Sequence, residues 1–444
     1  MATAQGTLPE APAEGERRTG NRVLASTLIG AHGFEHLISN SIPLLTTVIA
    51  VDLGLGALQV GAIVAVRSAA AGVTSVTGGF LSDLLHHRIA WVLSISAFLT
   101  AIGLLLVATA PSYAVILLAL ALASCGAALW HPPALGLLAQ RFPNRRGLFL
   151  SMHRSTGSVG DVVGPMIAGI LLLGALQWEA ADGLTVGWEL GGLQPVQWRW
   201  ILAGAAPIMF IATFVIYGLL RHAGGSPPAG VDLSQKLQTM WRGTYVAFRG
   251  TGLWAIFAVA AVRGMADGSM LFLVPLYLTH GLGINTFQAS AHLALMVGPA
   301  IVTAPLIGAL SDRVGRKSLI VFLMAFVTVL TLAIPMSGPD YSVWITVCVA
   351  LYGLQHFTVI NLTSAAAADV AARYRLESSF LGLMWGNNIL FGAVAAIVIF
   401  GPIEWLGWQY GFFIATAMYF LGFLASLMIP GDRHAREPAT DPAV

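Results

Sequence analysis

His32, Glu35, His36 and Ser39 stand at i, i+3, i+4 and i+7 inside an otherwise apolar segment, so a helix there puts all four on one face. Imidazoles and carboxylates away from bulk water are the groups that proton relays are built from. Glu35 is therefore the first candidate proton carrier, with His32 and His36 beside it. A polar network between packed helices would account for the same stripe. Two histidines and a carboxylate also suit zinc or iron, but one stripe on one helix is read here as holding no metal, and no cofactor is expected.

Arg67, Arg154 and Arg263 also lie deep in apolar runs, as do Asp161 and Asp267. A charge at the centre of an apolar span costs about 2.5–3.5 kcal/mol on insertion scales, so such residues are functional candidates by default. Arg154 and Asp161 are seven apart, and Arg263 and Asp267 four apart, so each pair shares a helix face. A local ion pair that fixes each helix is the alternative reading. The arginines are candidate anion ligands, since guanidinium meets carboxylate or phosphonate oxygens through charge-assisted, often bidentate hydrogen bonds. Asp161 and Asp267 join Glu35 as proton-coupling candidates. His131, ahead of Pro132-Pro133 where a broken backbone would expose carbonyls, and the neutral pair Asn387-Asn388 complete the substrate-binding set. His153, Gln355, His356 and Asn361 are further polar groups in apolar surroundings.

The elements that must hold these residues follow from composition. The chain has 444 residues, 57% hydrophobic and 9% charged, with a mean hydropathy of +0.79; soluble domains carry roughly 25% charged residues. A soluble fold is excluded in favour of an all-α membrane protein. Apolar runs of spanning length fall near 23–50, 57–82, 89–110, 113–137, 148–173 and 199–220, and again near 252–279, 286–310, 318–337, 342–364, 379–402 and 406–429. Twelve helices are expected. The domain plan is a cytoplasmic N-terminus (1–22), a six-helix bundle (23–220), a cytoplasmic linker (221–249), a second six-helix bundle (250–430) and a tail (431–444). Glu10, Glu14 and Glu16 stand where a signal peptide would be basic, so the first apolar segment is expected to stay in the mature protein.

Charge supplies the topology. Every loop arginine and lysine, from Arg17 and Arg88 through Lys236 and Arg313 to Arg436, falls on one side, and the alternate loops contain none. The positive-inside rule then places both termini in the cytoplasm of a cell with the protein in its inner, plasma membrane. Arg199, between Trp198 and Trp200, reads as an interfacial anchor, and the stretch 177–197 as a long outer loop inserted at the interface. A net charge of +2 gives no footing for nucleic acid. Cys125 and Cys348, far apart in apolar runs, suggest packing, with neither a disulfide framework nor a zinc site.

The halves align at a shift of 229: Leu53-Gly54 onto Leu282-Gly283, Gly79 onto Gly308, Asp83 onto Asp312, Arg88 onto Lys317 and Gly157 onto Gly386. Two parallel six-helix repeats enclose a site near the midplane, and rocking gives alternating access. The segment Gly308-Ala309-Leu310-Ser311-Asp312-Arg313-Val314-Gly315-Arg316-Lys317 resembles the signature loop of the major facilitator superfamily. In the first half Gly79-Phe80-Leu81-Ser82-Asp83 lacks the glycine and basic residue that usually follow, until Arg88. These residues form a candidate gate, an aspartate at a helix end opposite arginines; topogenic charge is the plainer explanation. Gly160, Gly164-Pro165 and Gly169 resemble the glycine-proline pattern of the family's proton-coupled drug exporters, although close helix packing alone would select them too. His32 through Pro43, Trp130-His131-Pro132-Pro133-Ala134 and Arg145-Arg146-Gly147 resemble the fosmidomycin-resistance branch of exporters.

The resemblance implies a secondary transporter that is no enzyme, working as a monomer with a small-molecule substrate, protons and the lipid bilayer as partners. Proton-driven export of a small polar or anionic compound is one expectation, and uptake by proton symport the other. An intramembrane enzyme built on the histidine and glutamate stripe, or a transporter-shaped receptor, belongs to another class. No nucleotide loop, serine elbow or metalloprotease helix accompanies the stripe.

Overall fold

The computed structural model describes residues 14–142, 146–179, 185–189, 194–224, 253–338, 340–374 and 377–430, with isolated positions between 234 and 248. The expected linker therefore lies largely outside the described residues, and most of the N-terminal segment and of the tail lies there too.

Among the described residues, twelve helical spans are long and apolar enough to cross a membrane. They are α1 (Gly20–Asp52), α2 (Ala57–Leu84), α3 (His86–Thr109), α4 (Tyr113–Arg141), α5 (Met152–Leu173), α6 (Trp198–Leu220), α7 (Leu253–Gly281), α8 (Thr286–Ser311), α9 (Arg316–Ser337), α10 (Val343–Ala367), α11 (Ser379–Leu406) and α12 (Trp408–Leu427). They form two pseudo-symmetric six-helix bundles. The repeat shows in the backbone: Gly54 and Gly283, equivalent under the sequence shift, turn the chain after α1 and α7 with φ of 60° and 68°, a left-handed conformation that favours glycine.

Within the first bundle, α5 lies against α1 through glycine. A Cβ on Gly164 would stand 2.7 Å from the Leu37 carbonyl carbon and 2.9 Å from Ser41 Oγ, and one on Gly160 2.7 Å from Leu37 N. The backbones approach as small residues permit. Between the bundles, α2 and α11 run together along their length. Gly61 meets Phe400 at one end, Gly72 meets Leu390 midway, and Gly382 meets Ser75 and Gly79 towards the other. By contrast α5 and α8 touch in the half away from the basic loops, where Ser290 Oγ lies 3.7 Å from Met166 Sδ and a Cβ on Gly169 would meet Ser290 and Phe287.

Among the described residues, three spans are broken in their interior. α1 is helical over Glu14–Ser39 and Ile42–Asp52 with a break at Asn40-Ser41, α8 over Thr286–Val297 and Ala300–Val314, and α10 over Val343–Gly353 and Thr358–Tyr374. Irregular backbone is tolerated inside a membrane only where it is packed in protein or lines a cavity. The breaks in α1 and α10 carry Asn40 and Gln355-His356. The expected break at Pro132-Pro133 does not occur, because α4 is continuous over Tyr113–Arg141. The outer stretch read as an interfacial insertion holds a two-stranded antiparallel hairpin, β1 (Ala175–Glu179) and β2 (Thr185–Glu189), with Gln177 opposite Gly187.

Candidate functional site

A central cavity of about 250 Å³ lies between the bundles. From the first bundle it is lined by Glu35, His36, Asn40, Arg67, His131, Arg154 and Asp161, and from the second by Arg263, Asp267, Phe272, Phe357, Trp385 and Asn388. Candidates from α1, α2, α4, α5, α7 and α11, scattered along the chain, thus share one space. His32 stands behind it, 1% exposed.

Two carboxylates anchor separate polar centres. In the first bundle, Asp161 Oδ1 accepts from His36 Nδ1 at 2.5 Å and from the Asn40 amide, while Oδ2 pairs with Arg154 at 2.7 Å. Arg154 also lies over the Phe357 ring, 3.5 Å from its centroid. In the second bundle, Asp267 Oδ2 pairs with Arg263, and His356 Nδ1 is 3.5 Å from the same oxygen. Asp267 Oδ1 accepts from the Tyr352 hydroxyl at 2.9 Å and from the Tyr419 hydroxyl. Each of these arginines therefore has a local carboxylate.

Arg67 is different. Its Nε donates to Ser124 Oγ at 3.3 Å and its guanidinium lies 5.3 Å from the Phe272 ring centroid, and among the described residues no carboxylate pairs with it. Glu35 accepts instead from Ser39, at 2.5 Å. Asn387 and Asn388 donate to the carbonyls of Phe257 and Ala260 at 2.7 and 2.8 Å, tying α11 to α7. Their amide nitrogens are thus committed to packing, although Asn388 still lines the cavity. Gln355 is fully buried with no hydrogen-bond partner for its amide among the described residues.

A second cavity of about 510 Å³ leads from the centre towards the basic-loop side, lined by Leu150, Ser158, Ala304, Gly308 and Arg316 among others. His131, Arg154, Phe357 and Trp385 face both cavities. Arg154 over Phe357, and His131 with Trp385 at 5.5 Å between ring centroids, make a partition whose two halves come from different bundles.

The gate candidates are dispersed. Asp83 accepts from Ser379 N at 2.9 Å and Ser379 Oγ at 2.7 Å, joining α2 to α11. Lys317 donates to the Leu427 carbonyl at 2.9 Å. Gly315, with φ of 93°, ends one helix and opens the next. Among the described residues nothing lies within 4 Å of a Cβ built on Gly308. Arg88 closes the short 3-10 turn that opens α3, and Arg313 lies in the last turn before Gly315. The Asp312 side chain lies outside what is described. Arg199 caps α3, donating to the carbonyls of Ala108 and Ala110 at 3.0 and 3.1 Å and lying over Trp198, which agrees with an anchoring role.

Asn40, Tyr352, Tyr419, Phe357 and Trp385 were not singled out from sequence. Asn40 and Tyr352 stand four residues from His36 and His356, a helical spacing that could have flagged them. Nothing local marks the others.

Two bundles around a polar cavity with a partition on one side define a membrane carrier. Residues 35–396 match the Major Facilitator Superfamily, and the chain belongs to that family, whose general function is secondary active transport. It is 23% identical over 417 residues to the fosmidomycin resistance protein of Escherichia coli, covering 92% of this chain and 93% of that one. It is 28% identical over 277 residues to the tetracenomycin C resistance and export protein of Streptomyces glaucescens, covering 55% and 50%. Among solved structures, an occupied, inward-facing bacterial homologue of the human lysosomal transporter Spinster superposes with a TM-score of 0.67 at 16% identity, covering 96% of this chain and 97% of that one. The nucleoside transporter NupG superposes with a TM-score of 0.65 at 15% identity over 93% and 100%.

Proposed function

We propose that this chain is a proton-coupled antiporter that exports a small polar or anionic compound by alternating access, as a monomer in the inner membrane with both termini and the 221–249 linker in the cytoplasm. The observation that carries the anion reading is Arg67, a cavity-lining guanidinium with no carboxylate at ion-pair distance among the described residues, beside two arginines that have one each. The anionic group of the substrate sits on Arg67, and a hydroxyl or amine of the same compound donates to the Asp267 carboxylate only while that carboxylate is ionised. Protonation of Asp267 removes the acceptor and releases the compound, so substrate and proton exclude one another on the carrier and the two fluxes run in opposite directions. Phe272, Phe357 and Trp385 supply apolar walls, so an amphipathic anion fits better than a small inorganic one.

The exporter direction draws support from two relatives that are named as resistance proteins, and the notion of a fosmidomycin-resistance-like branch rests on the same likeness together with the α1 and α4 motifs. The side of the basic loops supports the orientation.

The test is reconstitution into liposomes with a trapped pH dye, adding organic anions and antibiotics outside. Substrate-evoked alkalinisation inside identifies antiport, because substrate enters as protons leave. Acidification would mean symport and overturn the exchange. In Asp267→Asn the pH signal should vanish while bound-substrate exchange between the two sides persists.

A further inference from the structure

The α1 histidines meet His131 of α4 in a geometry that the anion site does not use. His36 donates from Nδ1 to Asp161 at 2.5 Å, and His131 from Nδ1 to the Ala127 carbonyl at 3.1 Å. Each Nε2 is therefore left as a lone pair, and the two face one another at 3.4 Å. Two lone pairs so placed repel unless an electrophile stands between them. Two nitrogens bound at 2.0–2.1 Å to one tetrahedral zinc ion are about 3.3 Å apart.

Further donors surround that point. His32 is 1% exposed, and neither of its ring nitrogens has a partner among the described residues. One ligand atom from each of His32, His36 and His131 lies within 4.8 Å of the others. Glu35 Oε2 is 3.8 Å from His36 Nε2. His153 stacks on His32 at 3.7 Å, but its Nε2 accepts from the Trp130 indole at 3.3 Å, so it supports the ring and is not left as a donor to metal. Carboxylate and carbonyl partners on the remote nitrogen are what hold metal-binding imidazoles in the right tautomer. Arg154 does not oppose a cation here as an isolated charge, because Asp161 stands between, with one oxygen on Arg154 and the other on His36.

We propose that His32, His36 and His131 bind a divalent transition-metal ion of the zinc class, reached from the central cavity, with Glu35 beside the fourth position. Imidazole-rich donor sets select zinc, copper, nickel or cobalt over magnesium and calcium. A bound ion would tie α1 to α4 within the first bundle, at the wall of the substrate cavity. The sequence put His32 and His36 on one face of α1 beside Glu35, and read that stripe as holding no metal, because the third imidazole, His131, is 95 residues from His36 and arrives from another helix.

The probe is Co²⁺, whose visible bands report tetrahedral coordination, added to the full-length, tag-free chain in detergent after chelator treatment. One equivalent should bind with a tetrahedral spectrum, and one equivalent of Zn²⁺ should displace it. His131→Ala and His32→Asn should each weaken binding at least tenfold, whereas His280→Gln, at the exposed end of α7, should leave it unchanged. Absence of tetrahedral Co²⁺ in the unaltered protein would overturn the site, as would equal binding by both variants. A proton shared between the Nε2 atoms would then explain the geometry. Because the readout is spectroscopic and needs no transport, its failure leaves the antiport reading standing, and failure of antiport leaves this one.

Discussion

At the scale of the residue, the arginines divide by their company. Arg154 and Arg263 each have a carboxylate on the same helix, and Arg67 has a hydroxyl and an aromatic face. Hydrogen bonds to a charged group are worth about 1.5–3 kcal/mol, so Arg67→Ala should raise the KM for an anionic substrate by tenfold or more with little change in kcat. Arg67→Lys should recover part of the loss, keeping charge without the planar fork. Substrate-dependent initial rates in proteoliposomes decide it, and an unchanged KM would remove Arg67 from the binding site. These intramembrane charges were legible in the sequence because an apolar span makes each one conspicuous. Their assortment was less so. Spacing predicted both Arg–Asp pairs, but Asp161 also takes Asn40 and His36 from α1, and Asp267 takes tyrosines from α10 and α12. Such contacts depend on how helices are rotated, which hydropathy does not encode.

At the scale of the element, the α1–α5 contact and the α8 end give opposite forecasts for the same kind of change. Gly164 sits against the backbone of Leu37, which cannot swing aside, whereas Gly308 has open space around it. Gly164→Val should therefore force α1 and α5 apart, at a cost of about 1–3 kcal/mol for overpacking, visible as a lower unfolding temperature in detergent. Gly308→Ala should be neutral or stabilising by up to about 1 kcal/mol, as glycine is replaced inside a helix. Equal effects would mean that the α1–α5 approach is not as close as described. The twelve spans themselves were legible from length and hydropathy, since each needs its own apolar run. The breaks in α8 and α10 and the hairpin β1–β2 were not. A break costs little hydropathy where neighbouring protein satisfies the freed backbone groups, and α4 shows the converse, two prolines accommodated without a break.

The partition between the cavities belongs to the same scale. Phe357 and Trp385 from the second bundle lie against Arg154 and His131 from the first, so the barrier crosses the bundle boundary. Phe357→Ala removes the ring under Arg154 and should open the central cavity to the basic-loop side. Ser68 lines the central cavity, and labelling of Ser68→Cys by a thiol reagent applied from that side, in a background with Cys125 and Cys348 replaced, should rise severalfold. No change in labelling rate would show that Phe357 does not obstruct the path.

At the scale of the whole molecule, the two bundle contacts are unequal. α2 and α11 pack from Gly61 and Phe400 to Asp83 and Ser379, whereas α5 and α8 touch from Gly169 and Ser290 as far as Val162 and Gly298 and then stand apart around the cavity on the basic-loop side. The molecule is therefore closed on the far side by helix packing, and on the basic side the partition stands between the central cavity and the second one. Alternating access requires the α5–α8 contact to open, because a rigid-body rock that exposes the cavity on the far side must separate the bundles there. A Cβ on Gly169 would lie 2.8 Å from Ser290 Cβ, within about an ångström of the 3.5–4.5 Å that a disulfide spans. Gly169→Cys with Ser290→Cys, in the cysteine-replaced background, should cross-link on oxidation and lose transport, and reduction should restore it. Substrate should still bind to the cross-linked protein from the basic side, since the cavity and its route on that side are untouched. Full transport by the cross-linked protein would show that α5 and α8 do not separate, and that the cycle runs through some motion other than a rock about α2 and α11.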